Sequence, residues 1–493
     1  MEILCILLCF LVVLKIVYNN LIYMQEAHYH ISGFKKIVFN FYIKEKESLF
    51  LSLMVPLIFV KGVLKGILFV VLSLLYLGIY KKKIIKLKFT KRIIRLLIFV
   101  FIINVLFVIF LRYEVLCFFE IFIIFISFLI SLPVEGMVFL YYKNKCIKKL
   151  KRINPIKIAI TGSYGKTSTK VILYEILKRD YLAFKTPKSY NTLNGICKCV
   201  NEEMDENCNL AIFEFGASRK GDIKKLSRLI KPDYSIITEI GPQHLETFGS
   251  MDNIIMEKMS LASFTKNEVV LNIDNKYIRD FKKMAKNGVC VSINENSDFW
   301  AENIAYNLSG VRFRVISKDE TYEVKSPLLG RHQVYNILMA IALASILGVK
   351  KETIMMTISS IFGEENRLKL KEFGKELVLD DSFNSNIVGF RNALEVLGMF
   401  DKYKVLLTPG IVELKDEEEK VNYDLAKLIK DVADEVILVK NKASSYIYKG
   451  LFDLGYSNIK IVDNFKEGFL LYKNINKDKI LLIENDISDI YKI

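Results

Sequence analysis

The chain has no CxxC pair and no zinc-gripping spacing, although it contains eight cysteines and four histidines. Cys197 and Cys199, two apart, suit neither a zinc knuckle nor a redox pair. The eight thiols therefore read as reduced cysteines in a core or a membrane helix. Acidic residues are scarce early on: through Pro155 there are 7 Asp+Glu against 22 Lys+Arg. Beyond that point 47 acidic residues nearly balance 48 basic ones. A nucleic-acid groove needs its positive charge on the folded, ligand-binding part, so the formal +16 does not point to DNA or RNA. The first apolar run lacks both a basic flank before it and a small-residue cleavage site after it, which favours a retained span over a signal peptide.

What is present is apolar sequence. Hydrophobic residues make up 52% of the 493 positions and mean hydropathy is +0.28. The run Ile3–Tyr23 and the segments Val63–Tyr80, Ile93–Leu111 and Val115–Leu132 each approach the ~20 residues that cross a bilayer. A shorter run before Val63 is cut by Pro56 and Lys61, giving four to five spanning helices within residues 1–150. Lys81, Lys82, Lys83, Lys86, Lys88, Lys91, Arg92 and Arg95 crowd one connection, and Lys143 to Arg152 form a second basic cluster. Both should face the cytoplasm, with Arg112-Tyr113-Glu114 outside. Everything after residue 150 is then in the cytoplasm, which makes this a multi-pass protein of the cell membrane. Glu120 and Glu135 lie in or near the last span, as helix–helix contacts, interfacial residues or functional groups.

From Ile156 short β-branched runs alternate with helical stretches, the pattern of α/β architecture. Lys157–Ile160 reads as a buried strand, followed by Thr161-Gly162-Ser163-Tyr164-Gly165-Lys166-Thr167-Ser168 and an amphipathic helix. Strand, glycine turn, Lys-Thr and helix together make a phosphate loop: Gly162 and Gly165 let backbone N–H groups face phosphates at a helix N-terminus. Lys166 would reach the β/γ-phosphates, and Thr167 would offer a hydroxyl to Mg²⁺. Ile160 stands where the common loop has its first glycine, so this is a shortened variant. In its strand–helix context the segment reads as a nucleotide-binding loop, the bland alternative being a glycine-rich turn with a surface lysine.

Further blocks follow in order. They are Thr186, Asn191 and Gly195; Glu214-Phe215-Gly216-Ala217 with Gly221-Asp222-Ile223; and Gly241 to Ser250 with Lys258 beyond His244. Gly330-Arg331-His332-Gln333-Val334-Tyr335-Asn336, Arg367 and Asp380-Asp381-Ser382-Phe383-Asn384-Ser385-Asn386 complete the set. Together with the phosphate loop, this set from about residue 156 onward resembles the Mur ligases, ATP-dependent amide-forming enzymes of peptidoglycan assembly, and most of all the MurF type. The resemblance implies an acyl-phosphate mechanism using ATP and Mg²⁺, with Lys166, His244 and Lys258 as catalytic residues. It makes Thr167, Glu214, His244 and a carbamylated Lys258 the metal ligands. Ser168, Asn336, Arg367 and Asp381 would join the loop in holding the nucleotide, Asn336 at adenine and Asp381 at ribose. Asn191, Asn384 and Asn386 would meet substrate. Read singly, Glu214 could be a solvated strand-end residue and His244 a satisfied loop histidine.

Departures bear on the substrates. The family's UDP-binding N-terminal domain has no counterpart, since apolar segments occupy its place. Lys188-Ser189-Tyr190-Asn191-Thr192 lacks the paired asparagines of the family, Ile387-Val388-Gly389 stands where Pro and Ser are typical, and no Asp-Asn-Pro-Arg occurs. The expected architecture is an α-helical transmembrane region (1–150), a central P-loop α/β domain (151–362) and a Rossmann-like C-terminal α/β domain (363–493). The expected partners are ATP, an amino-acid or dipeptide amine, membrane lipid and a carboxylate acceptor that is lipid-linked or UDP-linked. Two other readings remain, a poly-amino-acid synthetase of the cell surface and a non-catalytic ATP-binding membrane scaffold.

Overall fold

The structure, a computed structural model, describes residues 2–26, 29, 52–78, 87–110, 113–187, 190–363, 367–373, 376–383, 385–412, 414 and 417–485. It falls into two compact units, Met1–Tyr141 and Tyr142–Ile493.

The first unit is helical: Glu2–Glu26, Val63–Gly78, Lys91–Phe110 and the apolar part of Tyr113–Ile153. Its outward side chains, among them Ile3, Phe10, Leu14, Phe101 and Val105, are as apolar as its inner ones. Helices without a polar stripe have no face suited to water. By length and composition two of them suffice to cross a membrane, Glu2–Gln25 and Val115–Ile153. Val63–Gly78 has 16 residues, short of a full crossing. The run expected before it holds, among the described residues, a brief helical turn and the 3-10 helix Val55–Phe59, broken by Pro56. The basic connection at 81–86 and the turn residue Arg112 lie outside the described residues.

Two contacts orient the first pair of helices. Cys5 Sγ meets Gly66 O at 3.8 Å, and Lys15 Nζ donates to Tyr76 O at 2.6 Å. Both partners advance together along the chain, so Glu2–Glu26 and Val63–Gly78 run parallel. Glu120 and Glu135 each have a helix–helix partner. Asn104 Nδ2 donates to Glu120 Oε1 at 3.0 Å, and Arg95 grips Glu135 through two bonds of 2.6 and 2.8 Å.

A span ending at Leu132 with a separate basic segment after it is not what forms. Tyr113–Ile153 is one helix of 41 residues, about 60 Å long, with Pro133 inside it. Proline costs one backbone bond, but the Lys, Leu and Ile residues beyond it are good helix formers and carry the helix on. The division between the units falls within it. Its last turns pack in the second unit, where Cys146 and Leu150 join Ala159, Ile196 and Phe213.

The second unit holds two sheets. The first comprises β1 (Ile156–Thr161), β2 (Ala183–Lys185), β3 (Leu210–Glu214), β4 (Tyr234–Ile237), β5 (Val269–Asn272), β6 (Gly288–Ser292), β7 (Phe299–Asn307), β8 (Gly310–Ser317) and β9 (Thr321–Ser326). Their order is β2-β3-β1-β4-β5-β6-β7-β8-β9, parallel through β7 and antiparallel from there. Strands β3 and β5 are buried at every position, as expected of parallel strands covered on both faces. The apolar helix His332–Ile346 is buried on nearly all sides in this core and needs no membrane. The second sheet comprises β10 (Lys369–Phe373), β11 (Glu376–Asp381), β12 (Tyr403–Thr408), β13 (Glu435–Val439), β14 (Ile459–Val462) and β15 (Lys479–Glu484). It is ordered β10-β11-β15-β12-β13-β14 and is parallel except at β10. In the first sheet the chain steps from β1 to β3 on one side and to β4 on the other. A crevice opens at such a switch point, beyond the carboxyl ends of the strands.

Candidate active site

The phosphate loop sits at that switch. Gly162 adopts φ +154, and a Cβ there would drive into the Thr238 hydroxyl. Gly165, at φ +77, caps the helix Lys166–Leu177, and a Cβ on it would come within 2.6 Å of Asn336 Oδ1. Both positions require glycine because the chain passes too close to its neighbours for any side chain. Lys166 Nζ donates to Gly162 O and Ser163 O at 2.7 and 2.9 Å, so it lies over its own loop. Lys258, from the helix Met251–Phe264, donates to the same Gly162 O at 2.9 Å. Two ammonium groups therefore converge on one carbonyl. Burial draws Lys166 down to about 8, and burial together with the charge of Lys166 takes Lys258 well below the ordinary lysine range.

Glu214 closes β3 beside β1 and is 1% exposed. Its Oε2 accepts from Lys170 Nζ at 2.9 Å and its Oε1 from Asn191 Nδ2 at 3.2 Å. Burial pushes the carboxyl upward, but Lys170 and Lys166 more than offset this and hold it below the usual carboxylate range. Sequence reasoning missed Lys170. The signal was there, since four residues after Lys166 it shares a helix face with the loop lysine. Asn191, expected at substrate, has its side chain on Glu214.

His244 heads the short helix Leu245–Phe248 with φ +54. Thr247 ties that turn to the strand-end loop after Glu214 by donating to Ser218 O. Among the described residues no three His, Cys, Asp or Glu side chains cluster to hold a metal by themselves. The donor set of one carboxylate, the Thr167 hydroxyl and a histidine fits a Mg²⁺ that takes its remaining ligands from phosphate and water.

The second sheet supplies the opposite wall. Arg367 Nη2 donates to Thr167 Oγ1 at 3.2 Å, and its guanidinium lies 4.4 Å from the Phe383 ring centre. Asp381 is the last residue of β11, not the residue after the strand, and its Oδ1 accepts from Leu368 N at 3.0 Å. Asn386 caps the helix Ile387–Gly398, its Oδ1 accepting from Gly389 N at 2.9 Å. Asn384 lies outside the described residues.

Between these walls is an open cleft with a cavity volume of about 100 Å³. Gly165, Ser168, Asn336, Arg367, Asp381 and Asn386 line it, so it gathers residues more than 200 positions apart. Asn336 is held by Thr169 Oγ1 at 3.2 Å and by Gln333 Oε1 at 3.0 Å. His332, the first residue of its helix, is half-buried, and desolvation keeps it neutral by taking it to about 4. Thr238, Glu239, Asn272 and Tyr335 also line the cleft and were not foreseen. Glu239 follows β4 much as Glu214 ends β3, and burial raises it to about 7.

The Mur ligase middle domain pattern matches residues 160–344. The UDP-N-acetylmuramoyl-tripeptide--D-alanyl-D-alanine ligase of Bacillus subtilis (strain 168) is 27% identical over 308 residues, covering 61% of this chain and 66% of that protein. The Escherichia coli (strain K12) protein of the same description is 27% identical over 296 residues, 59% of this chain and 65% of the relative. The chain thus spans just under two thirds of the length of these relatives. In three dimensions, MurF from Acinetobacter baumannii matches with a TM-score of 0.64 at 25% identity, over 71% of this chain and 77% of that one. MurF from Thermotoga maritima, solved in complex with ADP, shares the fold with a TM-score of 0.62 at 23% identity, over 71% and 80%. The phosphate loop, the strand-end glutamate and the buried lysine all lie inside the segment that matches the Mur ligase middle domain, and the chain is similar to ligases of the MurF type.

Proposed function

We propose that this protein is a membrane-anchored, ATP-dependent carboxylate–amine ligase of the MurF type, working in cell-wall peptide synthesis. The observation that carries this reading is the convergence of Lys166 and Lys258 on Gly162, with Arg367 bonded to Thr167 of the same loop and Asp381 lining the cleft beside Gly165. That arrangement suits a triphosphate on the glycine loop, with adenine toward Asn336 and ribose toward Asp381. Lys166 and Arg367 would then hold charge on the transferring phosphoryl group. Thr167, Glu214 and His244 would hold Mg²⁺, which when bound neutralises the anions that must approach each other. An acceptor carboxylate oxygen attacks the γ-phosphorus and the bond to the β-phosphate oxygen breaks, releasing ADP. The amine nitrogen then attacks the acyl carbon, phosphate leaves with its oxygen, and the nitrogen loses a proton. Burial and the charge of Lys166 lower the proton affinity of Lys258, which favours the neutral amine that reacts with CO₂ and supports a carbamate there as a further metal ligand.

A non-catalytic scaffold would need no acidic and histidine residues beyond the phosphate loop, and Glu214, His244 and Lys258 are all present. A poly-amino-acid synthetase would use the same chemistry and is separated by its product. Incubating the full-length protein with ATP and paired amine and acceptor candidates tests the reading. ADP release should require both, and mass spectrometry should find the amide. ADP formed without either would rule out a ligase.

The apolar first unit supports a multi-pass anchor. With apolar helices ahead of the segment that matches the Mur ligases, we further propose that the acceptor carboxylate belongs to a lipid-linked molecule. An anchored site has a raised effective concentration toward anything else held in the same membrane.

A further inference from the structure

At the carboxyl edge of the second sheet, two acidic side chains that the proposed chemistry does not pair stand side by side. Asp381 and Glu484 end the parallel neighbours β11 and β15 and are partners in register, so both point to the same face. Glu484 is fully buried. Its Oε1 accepts from Ser385 Oγ at 2.6 Å, and its Oε2 meets no N–H or hydroxyl donor. The group within hydrogen-bond reach is the carboxyl of Asp381, which also accepts from Leu368 N and lines the cleft. A fully buried carboxylate does not keep its charge beside a second, half-buried one, and one proton between them turns repulsion into a hydrogen bond.

We propose that Glu484 is a positioning residue: its protonated carboxyl donates to Asp381 and holds that carboxylate facing the nucleotide in the cleft. This rests on the cleft being the nucleotide site. The surroundings put the proton on Glu484. Burial and then the charge of Asp381 push Glu484 well above the carboxylate range, whereas Asp381, raised by burial to about 6, is drawn back by Leu368 N–H, Arg367 and Glu484. Asp380, the other nearby acid, is occupied by Lys371 Nζ at 2.6 Å and Ser382 N at 3.1 Å. Glu484 thus does the work of an amide donor while remaining titratable.

The test uses full-length protein, a fluorescent ATP analogue, and the variants Glu484→Gln and Glu484→Ala, each followed across pH. Gln supplies an N–H in place of the O–H. It should keep nucleotide affinity within about twofold of wild type, whereas Ala, which leaves Asp381 without its donor, should lose about 5–10-fold. Wild-type affinity should decline on the alkaline side as the shared proton leaves, and the Gln variant should not show that limb. Thermal unfolding gives a readout independent of ligand. A carboxyl raised on folding binds a proton as the protein folds, so its contribution to stability falls as pH rises from the unfolded carboxyl value of about 4.3. The advantage of Glu484→Gln over wild type in Tm should therefore grow from acid to neutral pH. Ala binding nucleotide as tightly as wild type, or Gln keeping the alkaline limb, would overturn the proposal. If wild type binds no nucleotide while the Tm pattern holds, the shared proton stands but the nucleotide reading falls, and the positioning role with it.

Discussion

Glu214 cannot be judged by simple truncation, because its removal takes the carboxylate partner from the buried Lys170 ammonium. Deleting one partner of a buried ion pair costs about 3–5 kcal/mol, enough to lower Tm and mimic a catalytic loss. Glu214→Gln keeps the shape and the bond to Asn191 while withdrawing the charge. It should leave the protein folded by circular dichroism yet lower ADP release by about 10²–10⁴. Near-normal turnover in that variant would remove Glu214 from the metal site. Lys170→Met should show the opposite balance, with Tm falling several degrees before kcat is considered. For Lys258→Ala the expectation is loss of turnover with partial recovery when a short carboxylic acid is added. No recovery at any acid concentration would argue against a carbamate.

Among elements, the glycine loop and the strands that frame it were legible before any coordinates. Lys157-Ile158-Ala159-Ile160 is apolar enough to be a strand buried on both faces, and the Gly-Lys-Thr that follows has few other uses. Its packing could not be read in advance. Gly162 must be glycine because of Thr238, which stands 76 residues later, just past the end of the neighbouring strand β4. Gly162→Ala should therefore cost about 1–3 kcal/mol through overpacking, besides weakening nucleotide binding. A melt showing no loss would mean the loop can move aside. Asn386 was foreseen as a substrate contact, and its side chain caps a helix. Asn386→Ala should lower stability by about 1 kcal/mol whatever it does to turnover. Helix caps and substrate contacts draw on the same residue types, which is why spacing alone did not separate them.

For the whole molecule, the open issues are orientation and acceptor. Single cysteines at Lys83 and Tyr113, probed with an impermeant reagent in intact cells and read by peptide mass spectrometry, should label at 113 and stay unlabelled at 83. The reverse pattern would invert the topology and put the phosphate loop on the wrong side of the membrane for ATP. With full-length protein in liposomes, a lipid-linked acceptor should turn over much faster than its water-soluble analogue. Equal rates would make the apolar unit an anchor only, with a soluble UDP-linked peptide as the acceptor.

By itself the sequence determined the apolar unit, the α/β alternation, the phosphate loop and the order of the motif blocks. Each of these is local: hydrophobic runs, periodicity and short spacings are written in neighbouring residues. Only the tertiary structure decided that Val115 to Ile153 forms one helix and that Asn191 and Lys170 both serve Glu214. The same holds for Asp381 and Glu484, 103 positions apart in sequence and side by side in register. Such pairings depend on which strands lie next to each other and on what burial does to a charge. Neither is expressed in the residues until the sheets have formed.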